Sequence, residues 1–205
     1  MIRIVCAEIG SDDPRIYHEL YRRASAERRL RADRYRRQED KLRCVTADAL
    51  LQRALGTDCY QIQKGKNGKP FVKDRPDFHY NLSHSGRYVV IAWGNTEVGI
   101  DVEQHDATAD LEGIGAHFFT SDELVYIRED ASQRTERFYE IWTKKESCLK
   151  YTGEGLRRNM RSFSTLTPEY PIRYWYWKPD ADHSLCLYAV DQEITFELLD
   201  IQQLL

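Results

Sequence analysis

A chain of 205 residues with 41% hydrophobic and 31% charged side chains is apolar enough to bury a core, which excludes an intrinsically disordered protein. No stretch approaches the roughly 20 apolar residues of a bilayer-spanning helix, so no membrane role is expected. The net charge of −3 hides an asymmetry: residues 22–43 hold nine arginines and Lys41 against Glu27, Asp33, Glu39 and Asp40, a local +6 that leaves −9 elsewhere.

The N-terminal run Met1 to Glu8 lacks the basic start and apolar core of a signal peptide and reads as a strand over 2–8. Helical patterning follows near 14–36 and again near 39–55, the second ending at Gly56. A strand or loop near 58–63 leads into Lys66-Asn67-Gly68-Lys69-Pro70, where Asn-Gly signals a hairpin. Strands are expected at Phe78–Ser83, Tyr88–Trp93 and Val98–Glu103, then a loop or short helix near 104–119. Thr120-Ser121-Asp122-Glu123 has the spacing of a capping box. A longer helix is predicted over 133–151, stopping at Gly153, and the aromatic tail near 161–200 reads as strands. Val45-Thr46, Arg53 and Gly56 line up with Trp142-Thr143, Lys150 and Gly153 at an offset of 97, a faint hint of duplication. If the chain is duplicated, a site at the junction of the two halves follows.

Charge runs commonly form solvated helical faces laced with i,i+4 ion pairs. Here arginine outnumbers the acids too heavily for that alone, and a polyanion is the sharper expectation: phosphates, a nucleotide or nucleic acid. The five cysteines are scattered with no CxxC pair, which predicts reduced thiols in the cytoplasm and argues against zinc.

The most informative stretch is Val98-Gly99-Ile100-Asp101-Val102-Glu103. On a strand, Val98, Ile100 and Val102 share one face and Asp101 and Glu103 the other. Two carboxylates about 6.8 Å apart at the backbone can converge on one small ion. In the helix around Phe138–Lys150, the residues Phe138, Ile141, Trp142 and Leu149 form an apolar stripe with Lys145 in its middle. An ordinary reading pairs Glu146 with Lys150 and lets Lys145 snorkel to water. A lysine on an apolar stripe needs an anionic partner, so the expectation is that Lys145, Glu146 and Lys150 edge a charged cleft. Asp101, Glu103 and Glu146 together suit Mg²⁺, which takes hard oxygen ligands and commonly bridges phosphates. Asn81-Leu82-Ser83-His84-Ser85-Gly86 and Lys64 to Pro70 are by themselves ordinary turns, with phosphate contact as the alternative. No Walker loop, GxGxxG or GxSxG pattern is present.

Taken in order, Gly68-Lys69-Pro70, Asn81-Leu82-Ser83-His84-Ser85, Val98 to Glu103 and Trp142 to Lys150 resemble the 4′-phosphopantetheinyl transferases. The likeness is to the longer, pseudo-dimeric, surfactin-synthetase-activating type that serves peptide and polyketide synthetases. The resemblance implies an α+β fold of two similar halves related by a pseudo-twofold, about residues 1–100 and 101–205, with the active site at their junction. It implies Mg²⁺ on Asp101, Glu103 and Glu146, with coenzyme A as co-substrate. Lys150, His84 and Ser83 would contact its phosphates, and Lys69, Arg28, Arg31 and Arg43 its adenine-side phosphates. Cys44, where the family often has a hydroxyl residue, and Lys145 complete the expected coenzyme A set. Glu146, Lys150 and His84 are the expected catalytic residues, and an apo acyl or peptidyl carrier protein the expected partner. A cytoplasmic monomer is expected, binding neither nucleic acid nor membrane. Two other readings compete: a nucleic-acid-binding protein using the arginine-rich helix, and an inactive coenzyme A-binding module. Loop 112–120 with His117-Phe118-Phe119 is a candidate carrier patch, weighed against core packing at the junction.

Overall fold

Alternation sets the first strand. In β1 (Ile2–Glu8), Ile2, Ile4 and Cys6 point one way and Val5 and Ala7 the other, and all five are buried. A strand apolar on both faces needs a layer on each side. The computed structural model, which describes residues 1–10, 14–167 and 171–205, supplies both.

The first sheet has the order β4 (His79–Ser85), β5 (Tyr88–Gly94), β1, β9 (Ile194–Asp200). β1 runs antiparallel to β5 and parallel to β9. One face carries α1 (Pro14–Arg23) and α3 (Gln38–Leu55), with Ile16, Leu20, Val45, Leu50 and Leu51 packed on Val5, Val89 and Ile91. The other face meets a second, antiparallel sheet: β6 (Val98–Gln104), β8 (His183–Val190), β7 (Ile172–Trp177). There Ile2, Ile4, Val90 and Ala92 meet Ile100, Val102, Leu185 and Leu187. Val98, Ile100 and Val102 are fully buried on one face of β6, as the alternation requires.

The fold is therefore mixed helix and strand. The stretch 14–36, expected as one helix, is two: α1 and α2 (Ala26–Ala32). Ser25 separates them because its Oγ accepts from Arg28 N at 3.3 Å while its own N–H donates to Asp48 Oδ2 at 2.9 Å. That hydrogen bonding suits a helix start, not an interior. The predicted hairpin joins β2 (Ile62–Lys64) to β3 (Pro70–Val72), with Lys64 opposite Pro70.

Beyond β6, α4 (Leu111–Phe118) precedes α5 (Ser121–Arg128), whose predicted capping box forms: Thr120 N donates to Glu123 Oε2 at 2.9 Å. α6 (Arg134–Thr152) is the long predicted helix. α3 and α6 each stop at a left-handed glycine, Gly56 and Gly153. The strand-rich tail, expected from near 161, begins at Ile172, since 160–162 form a short 3-10 turn; residues 168–170 of that reading lie outside the described residues. The expected boundary at residue 100 falls inside β6, and β9 from the second segment completes the first segment's sheet. Among the described residues no helix is long and apolar enough to cross a membrane.

One contact fixes the site. α6 lies on β6 at Gly99, where a Cβ would collide with the carbonyl of Ser147 and the amide of Tyr151. Only glycine permits this approach. It carries Glu146 and Lys150 to the strand that bears Asp101 and Glu103.

Candidate active site

A cleft of about 750 Å³ opens beside this contact. Its walls come from α2 (Arg28, Arg31), α3 (Ala47, Asp48), the β2–β3 hairpin (Ile62, Lys64, Gly68, Pro70), β4 (Tyr80 to Leu82, His84) and α6 (Lys150). Arg28, Arg31, Lys64, His84 and Lys150 give it a basic lining suited to phosphates.

Asp48 organises one wall. It is 1% exposed and accepts from Ser25 N and Oγ, Arg28 Nε at 3.3 Å, Gln52 Nε2 and Tyr60 OH at 2.6 Å. The Arg28 guanidinium is thereby held against the cleft. Tyr60 titrates well above its ordinary range because burial and Asp48 disfavour the phenolate.

The acids lie at the far end, around Lys150. Its Nζ is 2.6 Å from Asp101 Oδ1 and 2.8 Å from Ser83 Oγ. Ser83 Oγ is 2.9 Å from the same Asp101 oxygen, and Ser85 Oγ is 2.8 Å from Glu103 Oε2. Asp101 is buried and its pKa is raised, by desolvation, against the pull of Lys150 and Ser83. Glu103 is pushed up to about 7 by burial and by the charge of Asp101, with Ser85, Lys150 and Trp142 opposing. Burial and Asp101 raise Glu146 as well. Burial first, and for Glu103 and Glu146 the charge of Asp101 second, thus outweigh the one lysine among them. His84 is held below its ordinary value by burial and by the nearby Arg43 and Lys150.

Among the described residues no three His, Cys, Asp or Glu groups already stand in a metal ligand arrangement. The donor chemistry nevertheless fits Mg²⁺: all three candidates are hard carboxylates. Asp101 Oδ2 is buried with no hydrogen-bond partner, and an orphaned carboxylate oxygen beside two further acids suits a cation.

Comparison with known proteins then decides the family. Residues 14–96 match the model described as 4′-phosphopantetheinyl transferase, N-terminal, and residues 97–193 that of the 4′-phosphopantetheinyl transferase superfamily. The 4′-phosphopantetheinyl transferase gsp of Aneurinibacillus migulanus is 30% identical over 171 residues, 80% of this chain and 70% of the relative. The chain belongs to the 4′-phosphopantetheinyl transferase superfamily. The similar 4′-phosphopantetheinyl transferase HetI of a Nostoc species is 30% identical over 161 residues, 73% of this chain and 68% of the relative. The 4′-phosphopantetheinyl transferase Sfp of Bacillus subtilis is 35% identical over 148 residues, 68% of this chain and 65% of the relative. The matched stretch thus spans just under two thirds of that relative's length.

Within this superfamily member, the structure brings Asp101, Glu103, Glu146, Lys150 and Ser83 together, with Arg28, Arg31 and His84 on the adjoining cleft. It corrects the placement of Lys145. That side chain is fully buried, its Nζ bound to Glu123 Oε2 at 2.9 Å and to the carbonyls of Met160 and Phe163 at 2.7 Å each. The anionic partner that the apolar stripe demanded is Glu123 of α5, not a ligand at the cleft edge. Lys69 Nζ is engaged by Glu97 at 2.5 Å and by the carbonyls of Val98 and Tyr151, pinning the hairpin to α6. Cys44 is buried, its Sγ 3.8 Å from Arg28 O. Arg43 bonds Gly86 O at 2.7 Å and Asp40. Of the His117-Phe118-Phe119 run, Phe119 is fully buried against Phe138 and Ile141, so core packing claims that residue. Sequence reasoning missed Asp48. The signal was there: a lone acid between Val45 and Leu51 in an apolar helix, the same argument that singled out Lys145.

Proposed function

We propose that this protein moves the 4′-phosphopantetheine arm of coenzyme A onto a serine of an apo acyl or peptidyl carrier protein. The observation that carries the reading is the basic cleft running from Arg28 and Arg31 to Lys150, where it abuts three acids with raised pKa values. The family membership and the names of the relatives support it. The two matched segments also suit two similar α+β halves, with the site where the second contributes α6 and β6.

Arg28 and Arg31 bind the adenine-side phosphates, with Arg43 behind His84 adding positive charge. Lys69 would join them by exchanging Glu97 for a phosphate. Lys150 and His84 hold the pyrophosphate, the ammonium of Lys150 stabilising charge that builds there during transfer. Mg²⁺ held by Asp101, Glu103 and Glu146 would supply further neutralisation of the pyrophosphate oxygens. The carrier serine oxygen forms a bond to the β-phosphorus as the bond to the departing 3′,5′-ADP oxygen breaks. Glu146 is the base that takes the serine proton. The protein acts as a cytoplasmic monomer in this reading.

The test is to mix the protein with coenzyme A, Mg²⁺ and an apo carrier and to weigh the carrier. A gain of one phosphopantetheinyl group is expected, and Glu146→Gln should lose at least about 100-fold in rate. No gain across several carriers overturns the reading.

A further inference from the structure

β4 and β6 are edge strands of different sheets. Three β4 side chains two residues apart, hence on one face, join them. Asn81 Oδ1 accepts from the buried N–H of Ile100 at 2.9 Å. Ser83 Oγ meets Asp101 Oδ1 at 2.9 Å. Ser85 Oγ meets both Glu103 Oε2 at 2.8 Å and the N–H of Gln104 at 3.0 Å.

The neighbours fix where the two seryl protons go. A hydroxyl donates one proton and accepts on its lone pairs, whereas an ammonium or an amide N–H only donates. Ser83 therefore accepts from Lys150 and gives its proton to Asp101 Oδ1. Ser85 accepts from Gln104 N–H and gives its proton to Glu103 Oε2. One atom of Ser85 thus holds both the carboxylate and the backbone of the strand that carries it.

We infer that Ser85 is a positioning residue for the metal-binding acids, its ordered hydroxyl fixing the rotation of Glu103 beside Asp101. The inference rests on reading Asp101, Glu103 and Glu146 as cation ligands. Ser85 touches no substrate in this account; it acts through Glu103. Asn81 performs the matching task one end down, setting the height of β6 through Ile100. The stability cost of losing Ser85 is small because the Gln104 N–H lies at the exposed end of the seam, where water replaces the hydroxyl.

The experiment titrates Mn²⁺ into the protein in saturating coenzyme A, following loss of the free-ion electron paramagnetic resonance signal. Partners that orient metal ligands are typically worth about 10- to 100-fold in affinity. Ser85→Ala should raise the Mn²⁺ Kd about tenfold or more, with coenzyme A affinity in EDTA unchanged. Ser85→Thr, which keeps the hydroxyl, should return the Kd to within about threefold of wild type. Should Ser85→Ala unfold, Ser85→Cys carries the same comparison, because a thiol is a similar size and a weak donor. An unchanged Kd in a folded variant lacking the hydroxyl, with normal binding by wild type, overturns this inference alone. No Mn²⁺ binding by wild type overturns the metal reading itself, and this inference with it.

Discussion

Replacing Lys145 with methionine separates a structural lysine from a ligand-binding one. The ammonium is fully buried and has three acceptors: Glu123 Oε2, Met160 O and Phe163 O. Methionine fills much of the same volume but leaves Glu123, itself fully buried, without its counter-charge. Breaking one partner of a buried ion pair costs about 3–5 kcal/mol. Glu123 keeps four donors, the N–H and Oγ of both Thr120 and Thr165, which puts the loss near the lower end, about 3 kcal/mol. For a chain of this length each 1 kcal/mol lowers Tm by about 2–4 °C, so a fall of about 6–12 °C is expected. Adding Glu123→Gln should recover part of it, because the uncompensated charge is then gone. Thermal unfolding followed by circular dichroism measures both variants, and calorimetry measures coenzyme A binding below the transition. A Tm within about 2 °C of wild type with a tenfold weaker coenzyme A affinity would refute the argument and return Lys145 to the cleft.

Three further outcomes follow from the same geometry. Gly99→Ala forces a methyl into the Ser147 carbonyl and Tyr151 amide, so α6 must lift off β6; a loss of about 3 kcal/mol or more in urea unfolding and abolished Mn²⁺ binding are expected. Asp48→Asn leaves the Arg28 guanidinium and Tyr60 hydroxyl poorly held; calorimetry should show a coenzyme A Kd several-fold higher and unfolding a loss of about 1–3 kcal/mol. Asp180 accepts from His183 Nδ1 at 2.9 Å, from Asp182 N at 2.7 Å and from Arg87, and its pKa is depressed despite partial burial, chiefly by those hydrogen bonds. A depressed carboxylate stabilises above its unfolded pKa near 3.9 and loses that contribution as pH falls toward its folded value. The stability gap between wild type and Asp180→Asn, about 1 kcal/mol at pH 7 after solvent screening of this partly buried group, should therefore close below about pH 4.

Where the sequence was legible, a local period made it so. The face of Val98, Ile100 and Val102 and the capping box at Thr120 depend only on residues a few positions apart, and both stand as read. The stripe argument correctly required an anion for Lys145 but had no means of finding it. Glu123 was already occupied in the reading as the capping-box acid, and only the packing of α5 on α6 shows that it serves both tasks. Ser25 was hidden inside a continuous helical pattern, because what turns it into a cap is Asp48 on another helix. The parallel pairing of β9 with β1 joins opposite ends of the chain and leaves no local signature in either.

The molecule contains two buried clusters of opposite completeness, and the contrast separates scaffold from site. Around Lys145 and Glu123 every polar atom has a partner: three acceptors for the ammonium and five donors for the carboxylate. Such a cluster has nothing left to offer a ligand, and its removal should be felt as lost stability. Around Asp101 one lysine faces three acids, all with raised pKa values, and a buried oxygen has no donor. Carboxylates so placed disfavour their own ionisation, and a divalent cation reverses that preference. Neutralising one of these acids should therefore cost the fold little or even stabilise the cation-free protein, while weakening metal binding. Asp101→Asn is the sharpest case, since it keeps the side-chain shape and an Oδ1 acceptor for Lys150 and Ser83 while removing the charge. A large loss of stability in the presence of EDTA would show that the cluster serves the fold and would remove the physical basis for placing a metal there.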